Sequence, residues 1–208
     1  IIDEGIDDTY VKGNDRFYYL TLMNENYSHP KRPKNATTEN IIKGAYKYLE
    51  NKNPSLRILA SGVTLNFAID AEKELKKLGI FTEIWSVTSF NELYKDGIEV
   101  ERLNRYENKK SVSYVESCFS ECLPTVAVSE YVRAYTNQIR QWVNGDYVTL
   151  GTDGFGRSDT REELRNYFEI SKDHIVVNAL FVSGNKDKAE KYIKDKKIDL
   201  NTKAPWLR

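Results

Sequence analysis

The sequence predicts an α/β fold, a largely parallel sheet covered by helices on both faces. Short β-prone apolar runs at 56–60, 81–87, 125–128 and 147–150 alternate with longer segments of helical periodicity, the rhythm of crossover units. With 208 residues and 24.1 kDa the chain suits one full domain with a fragment of another, and it is long enough to bury a core. Lys and Arg together number 31 and Asp and Glu number 31, so the overall charge favours neither nucleic acid nor an anionic membrane as a partner. No run approaches about 18 consecutive apolar residues and no signal sequence opens the chain, which leads to the expectation of a soluble, cytoplasmic protein.

In chain order, residues 1–11 carry Ile2, Ile6 and Tyr10 at helical spacing and start without a cap, as though continuing from something longer. After a turn at Gly13-Asn14-Asp15, the aromatic run at 17–23 reads as a strand ending an upstream unit. Residues 24–35 are polar, with Pro30 and Pro33 among Lys31, Arg32 and Lys34, the composition of an extended connector. Thr37 or Thr38 then caps a helix with Ile41, Ile42, Ala45, Tyr46 and Leu49 on one face, stopped at Asn53-Pro54. Strand 56–60 leads to a helix over 63–78 that turns Leu65, Ala68, Ala71, Leu75 and Leu78 inward and stops at Gly79, before strand 81–87.

Ser89 caps a further helix, which is expected to break or end near Asp96-Gly97, and 99–110 has the composition of a charged surface. A helix over 111–121, strand 125–128, a helix over 130–143 with Val132, Tyr135, Ile139 and Trp142 on one side, and strand 147–150 follow. Residues 173–182 present a conflict between β propensity at Ile175, Val176 and Val177 and a helical spacing of Val176, Ala179, Leu180 and Ser183. A charged helix over 186–196 comes next, and Trp206 is expected to anchor the end.

Few residues offer catalytic chemistry. His29 and His174 lie far apart and no nucleophile elbow is present. Cys118 and Cys122 read as two reduced thiols on one helix face without the four ligands of a zinc site. The conspicuous stretch is the glycine turn at 151–156, GTDGFG, which follows a strand and precedes a helix with Ser158, Asp159 or Thr160 as its cap. Two readings stand open. The turn is a tight structural connection, or it forms with the helix N-terminus an anion-binding or regulatory site comprising Asp153, Gly154, Gly156, Arg157 and Ser158. Its order, G-x-x-G-x-G, fits neither the dinucleotide fingerprint nor the P-loop. Asp153, at the carboxyl end of a strand, is the best-placed acid.

Four stretches carry a family resemblance: FYYLTLMNENY at 17–27, IWSVTSFNEL at 84–93 with Asp96-Gly97 and Glu101-Arg102, Ser129-Glu130-Tyr131 with Gln138-Ile139-Arg140, and LGTDGFGRSD at 150–159. In these the chain resembles the C-terminal part of the homodimeric-type dehydrogenase component of the pyruvate dehydrogenase complex, a thiamine-diphosphate enzyme of the transketolase superfamily. The resemblance implies a three-layer α/β/α domain with a mixed, mostly parallel sheet of about five strands, and it makes 173–182 a helix.

It further implies that 1–27 ends a pyrimidine-binding domain, that 28–36 is a linker, and that 37–208 is the C-terminal domain. The full enzyme would use thiamine diphosphate and Mg²⁺ to decarboxylate pyruvate, acetylate the lipoyl group of an acyltransferase partner, and form a homodimer. The family's Gly-Asp-Gly motif is absent from these residues, so no catalytic, cofactor or metal residue is carried over. The implied role of this stretch is supportive, with tyrosine-rich surface available to a second subunit or to the acyltransferase.

Overall fold

The computed structural model describes residues 1–108, 110–199 and 201–208. Among these, β1 (Ala45–Glu50), β2 (Leu56–Ser61), β3 (Thr82–Val87), β4 (Thr125–Val128) and β5 (Tyr147–Leu150) form one five-stranded sheet in the order β1-β3-β2-β4-β5. The β2/β3, β2/β4 and β4/β5 pairs are parallel, while β1 runs antiparallel along β3 at the edge. The three inner strands are buried almost throughout, as strands covered on both faces are.

The helices are α1 (Ile2–Ile6, continued by a wide turn over Asp7–Val11), α2 (Thr38–Lys43), α3 (Thr64–Lys77), α4 (Phe90–Glu107), α5 (Tyr114–Cys118), α6 (Arg133–Asn137), α7 (Arg161–Tyr167), α8 (Lys172–Val182) and α9 (Lys186–Lys196). On one face of the sheet Leu56, Ile58, Ala60, Ile84, Val126 and Val128 pack against α3 and α8, with α9 behind α8. On the other, Leu59, Trp85, Val87 and Ala127 meet Phe90 and Leu93 of α4, Val115 of α5, and Ile139 and Trp142. The result is the expected three-layer α/β/α arrangement. In α8, burial of Ile175, Val176, Ala179 and Leu180 decides the conflict for helix, because packing outweighs β propensity.

Several boundaries depart from expectation for identifiable reasons. The helix foreseen from Thr37 through Leu49 ends at Lys43, because Gly44 takes φ +109° with Ser89 O only 2.6 Å from where a Cβ would lie. The chain turns there into β1. Asp96-Gly97 does not break α4: the Asp96 carboxylate accepts from Val115 N at 3.2 Å, and the bare Cα of Gly97 makes room for Trp142. The helix expected over 130–143 shrinks to α6 and a 3₁₀ turn at Arg140–Trp142. Its first residues are taken by other partners, since Ser129 Oγ accepts from Tyr131 N and Tyr131 O accepts from Thr152 N.

α5 is a single short helix with a capping box between Ser113 and Glu116, so Cys122 falls outside it and the two free cysteines do not share a helix face. Burial pushes the Cys118 thiol up, away from thiolate chemistry.

The run at 17–23, expected to be a strand, forms no regular element and pairs with no strand among the described residues, and Phe17, Tyr19 and Leu22 are 92, 84 and 88% exposed. A strand needs a neighbour for its backbone groups, and the described residues supply none. The first 18 residues hold together locally: the buried Asp8 carboxylate accepts from Asn14 and Tyr18, and the Tyr18 ring lies on Gly5.

Candidate functional site

Open α/β sheets bind ligands outside the carboxyl ends of their parallel strands. Here β2, β4 and β5 end at Ser61, Val128 and Leu150, and the glycine turn continues from the last. The rim is knitted by local bonds. Thr64 Oγ1 donates to Ser61 O at 2.8 Å and lies 3.2 Å from Val128 O, closing the gap between β2 and β4. Gly151 sits where a Cβ would lie 2.5 Å from Tyr131 O, so this strand end and the start of the 129–133 loop touch backbone to backbone. Thr152 donates from its hydroxyl to Glu130 O at 2.9 Å.

Asp153 is not a free acid: it accepts from Arg133 N at 3.0 Å and from Arg133 Nε at 2.5 Å. Gly154 has φ +104°, and a Cβ there would approach Trp206 Cα at 3.0 Å and Pro205 O at 3.1 Å. The tail therefore lies across the turn. Arg133 is placed 4.4 Å over the Trp206 ring, and Arg157 donates to Arg208 O at 2.8 Å and to the Tyr167 hydroxyl at 3.2 Å. Trp206 is thus an anchor of a half-exposed kind, with the neighbouring Pro205 buried.

Gly154, Gly156 and Arg157 line a cavity of about 290 Å³ together with Thr152, Glu130, Arg161 and Arg165, over a floor of Leu164, Phe168 and Ile170. Three of the five expected site residues are brought together in this way. Asp153 is engaged by Arg133, and Ser158 is exposed and is not the helix cap, a task that Thr160 performs by accepting from Glu163 N.

Glu130, Arg165 and Arg133 were not foreseen. The i,i+4 spacing of Arg161 and Arg165 behind the turn was readable as a shared face; Glu130, which accepts from Arg165 Nε at 3.0 Å, comes from a distant loop and carried no such signal.

The geometry does not favour a phosphate cradle. α7 spans only Arg161–Tyr167, its N-terminal turn is capped by Thr160, and the arginines around it are engaged with protein groups. Nor do the donors suit magnesium and thiamine diphosphate. A divalent cation wants a set of free oxygens, whereas the carboxylates at this rim, Asp153 and Glu130, each accept from an arginine. No group of three acidic, cysteine or histidine side chains able to hold a metal occurs among the described residues. His174 lies on α8 with Nδ1 2.8 Å from Ser171 Oγ, and burial lowers its pKa, while His29 is exposed in the connector. No helix among the described residues is long and apolar enough to cross a membrane.

The family model described as the transketolase-like TK C-terminal domain matches residues 44–171. Among curated proteins, the pyruvate dehydrogenase E1 component of Pseudomonas aeruginosa is 46% identical over 188 residues, covering 86% of this chain and 21% of that protein. The pyruvate dehydrogenase E1 component of Cupriavidus necator is 38% identical over 218 residues, covering 99% of this chain and 24% of that one. The chain thus spans about a fifth to a quarter of the length of these relatives. Among solved structures, transketolase from Leishmania mexicana superposes with a TM-score of 0.53 at 20% identity, over 73% of this chain and 19% of that one. Likeness at that identity shows the fold alone. The chain therefore belongs to the transketolase-like C-terminal domain family, among sequences similar to the pyruvate dehydrogenase E1 components.

Proposed function

We propose that this chain is the C-terminal portion of a pyruvate dehydrogenase (acetyl-transferring) E1 enzyme, and that it serves as a buttress rather than as a catalytic surface. In this reading 1–27 closes the pyrimidine-binding domain, 28–36 is a linker, and 37–208 is the C-terminal domain. The complete enzyme is a cytoplasmic homodimer. It decarboxylates pyruvate on thiamine diphosphate with Mg²⁺ and reductively acetylates the lipoyl group of the acyltransferase component, which this domain helps to assemble.

One observation carries the supporting role: at the edge of the sheet where a ligand would enter, Asp153, Arg157, Glu130 and Arg165 are committed to other parts of the same chain. The reading of 1–27 draws support from the run at 17–23. It is apolar on both alternating sides, as a strand covered on both faces would be, and it is exposed here.

Calorimetric titration of the 208-residue chain with thiamine diphosphate and Mg²⁺ tests the proposal. No binding is expected, and tight stoichiometric binding would overturn it.

A further inference from the structure

The face of α7 that follows the glycine turn is occupied by a segment 136 residues away in sequence. Arg161 donates from Nε to Glu25 at 2.5 Å and from Nη2 to the Asn24 side chain. One turn later, Arg165 donates from Nη2 to the Tyr27 hydroxyl at 2.8 Å while its Nε holds Glu130 at 3.0 Å. Tyr27 closes the ring by donating to Glu25 at 2.8 Å. The Arg165 guanidinium also lies over the Tyr27 and Phe67 rings, at 5.6 and 4.7 Å from their centroids. Two guanidiniums at i and i+4 point the same way from one helix face. Here they read a carboxylate, a side-chain amide and a phenol presented by Glu25, Asn24 and Tyr27, three residues within a span of four.

We propose that Arg161 and Arg165 are positioning residues, a clasp for the segment 24–27 that fixes the pose of everything upstream of residue 24 against the C-terminal layer. The proposal rests on the reading of 1–27 as the end of an upstream unit. The segment 24–27 lies immediately after the exposed run at 17–23, so whatever sheet that run joins inherits its orientation from this contact. The two halves of the clasp differ in weight. Arg161 and Glu25 are 35 and 48% exposed, and a pair so solvated contributes little alone. Arg165 and Glu130, at 13 and 28%, are better shielded and stacked, so Arg165 is the hub.

The connector at 28–36 supplies the assay, because Lys31 and Lys34 make it cleavable by a lysine-specific endoprotease, which ignores the arginine that Glu25→Arg introduces. In the full-length enzyme, Glu25→Arg and Arg161→Glu are each expected to raise the connector's cleavage rate about fivefold. Arg165→Gln should raise it at least about tenfold. The Glu25→Arg/Arg161→Glu double variant should return towards the parent rate, a rescue that two independent structural defects would not give.

Hydrogen exchange at 17–23 in the same full-length protein reports the underlying reading separately. Protected amides with unchanged cleavage in the single variants, or with additive effects in the double, overturn the clasp and leave the upstream reading standing. Unprotected amides at 17–23 overturn that reading and the clasp with it.

Discussion

Removing the charge of Glu83 while leaving Arg57 in place should be among the most damaging single changes in this domain. The two side chains face each other across the parallel β2/β3 pair, each 1% exposed, with Arg57 Nε 2.5 Å from Glu83 Oε1. Glu83 also accepts from Lys47 at 2.9 Å and from Trp85 Nε1 at 3.0 Å, whereas Arg57 has few other partners. Its Nη2 reaches Glu121 O at 3.3 Å, its face lies 5.3 Å from the Phe119 ring centroid, and Nη1 is without a partner among the described residues. Glu83→Gln keeps the size and strands the guanidinium, a loss of about 3–5 kcal/mol for a buried pair with one partner removed. For a chain of this length that corresponds to a fall in Tm of about 6–20 °C.

The double variant Arg57→Met/Glu83→Leu removes both charges and should recover most of the loss. The pH dependence gives an independent sign. Burial alone would raise the pKa of Glu83, but the hydrogen bonds from Lys47 and Arg57 outweigh it and hold the carboxyl below its ordinary value. Its stabilisation is therefore complete above about pH 4.3 and is lost as pH falls through the lower, folded-state pKa. Urea unfolding of the parent chain, Glu83→Gln and the double variant from pH 3 to 7 is the assay. Single and double losses of equal size, or an unchanged acid limb in Glu83→Gln, would refute the reasoning.

Three further outcomes follow from the packing. Gly97→Ala would gain about 0.5–1 kcal/mol of helix propensity in isolation, but its Cβ would lie 2.5 Å from Trp142 Cε2, whose ring is held by Nε1 donating to Glu101 at 2.9 Å. A net loss of about 1–3 kcal/mol in urea unfolding is expected, and a stabilised variant would contradict the geometry. Gly154→Ala should displace the tail and increase exposure of Trp206 to a fluorescence quencher, whereas Gly156→Ala, with none of the described residues within 4 Å of the added Cβ, should match the parent.

His174 is held neutral by burial, so below its unfolded pKa of about 6.5 the unfolded chain takes up a proton that the native state resists, and stability declines there. An imidazole titration by NMR with a midpoint above 6.5 would disprove this.

The parts of the fold that were legible in the sequence are those in which local pattern and tertiary burial agree. β2, β3 and β4 are apolar along their whole length because both faces are covered, and α3 keeps one apolar stripe for one neighbour. β1 was unreadable because AYKYLE satisfies either period; its state is decided by Gly44 and by the edge of β3, whose paired residues lie more than 30 positions onward in sequence. The same limit governs the site. The turn at 151–156 was visible from its glycines, but the identity of what touches it, Arg133, Glu130 and the tail at 205–208, and of the segment at 24–27 that meets α7 beyond it, is set by topology.

That topology alters what the glycines imply. A ligand-binding turn uses glycine so that a small molecule can approach the backbone, and the position nearest the ligand tolerates no side chain. Here the two positions that exclude a Cβ face protein: Gly151 meets the backbone of Tyr131 and Arg133, and Gly154, though it lines the cavity, meets the backbone of Pro205 and Trp206, while at Gly156, also on the cavity wall, a Cβ would have none of the described residues within 4 Å. The constraint thus points toward the 129–133 loop and the tail and away from the cavity. A turn shaped in this way joins the last strand, the 129–133 loop and the tail, and α7 beyond it presents Arg161 and Arg165 to the segment 24–27. The segment 24–27 and the tail consequently meet the same helix, since Tyr167 at the end of α7 accepts from Arg208 through its backbone O, and a disturbance of either should be felt at the other through α7.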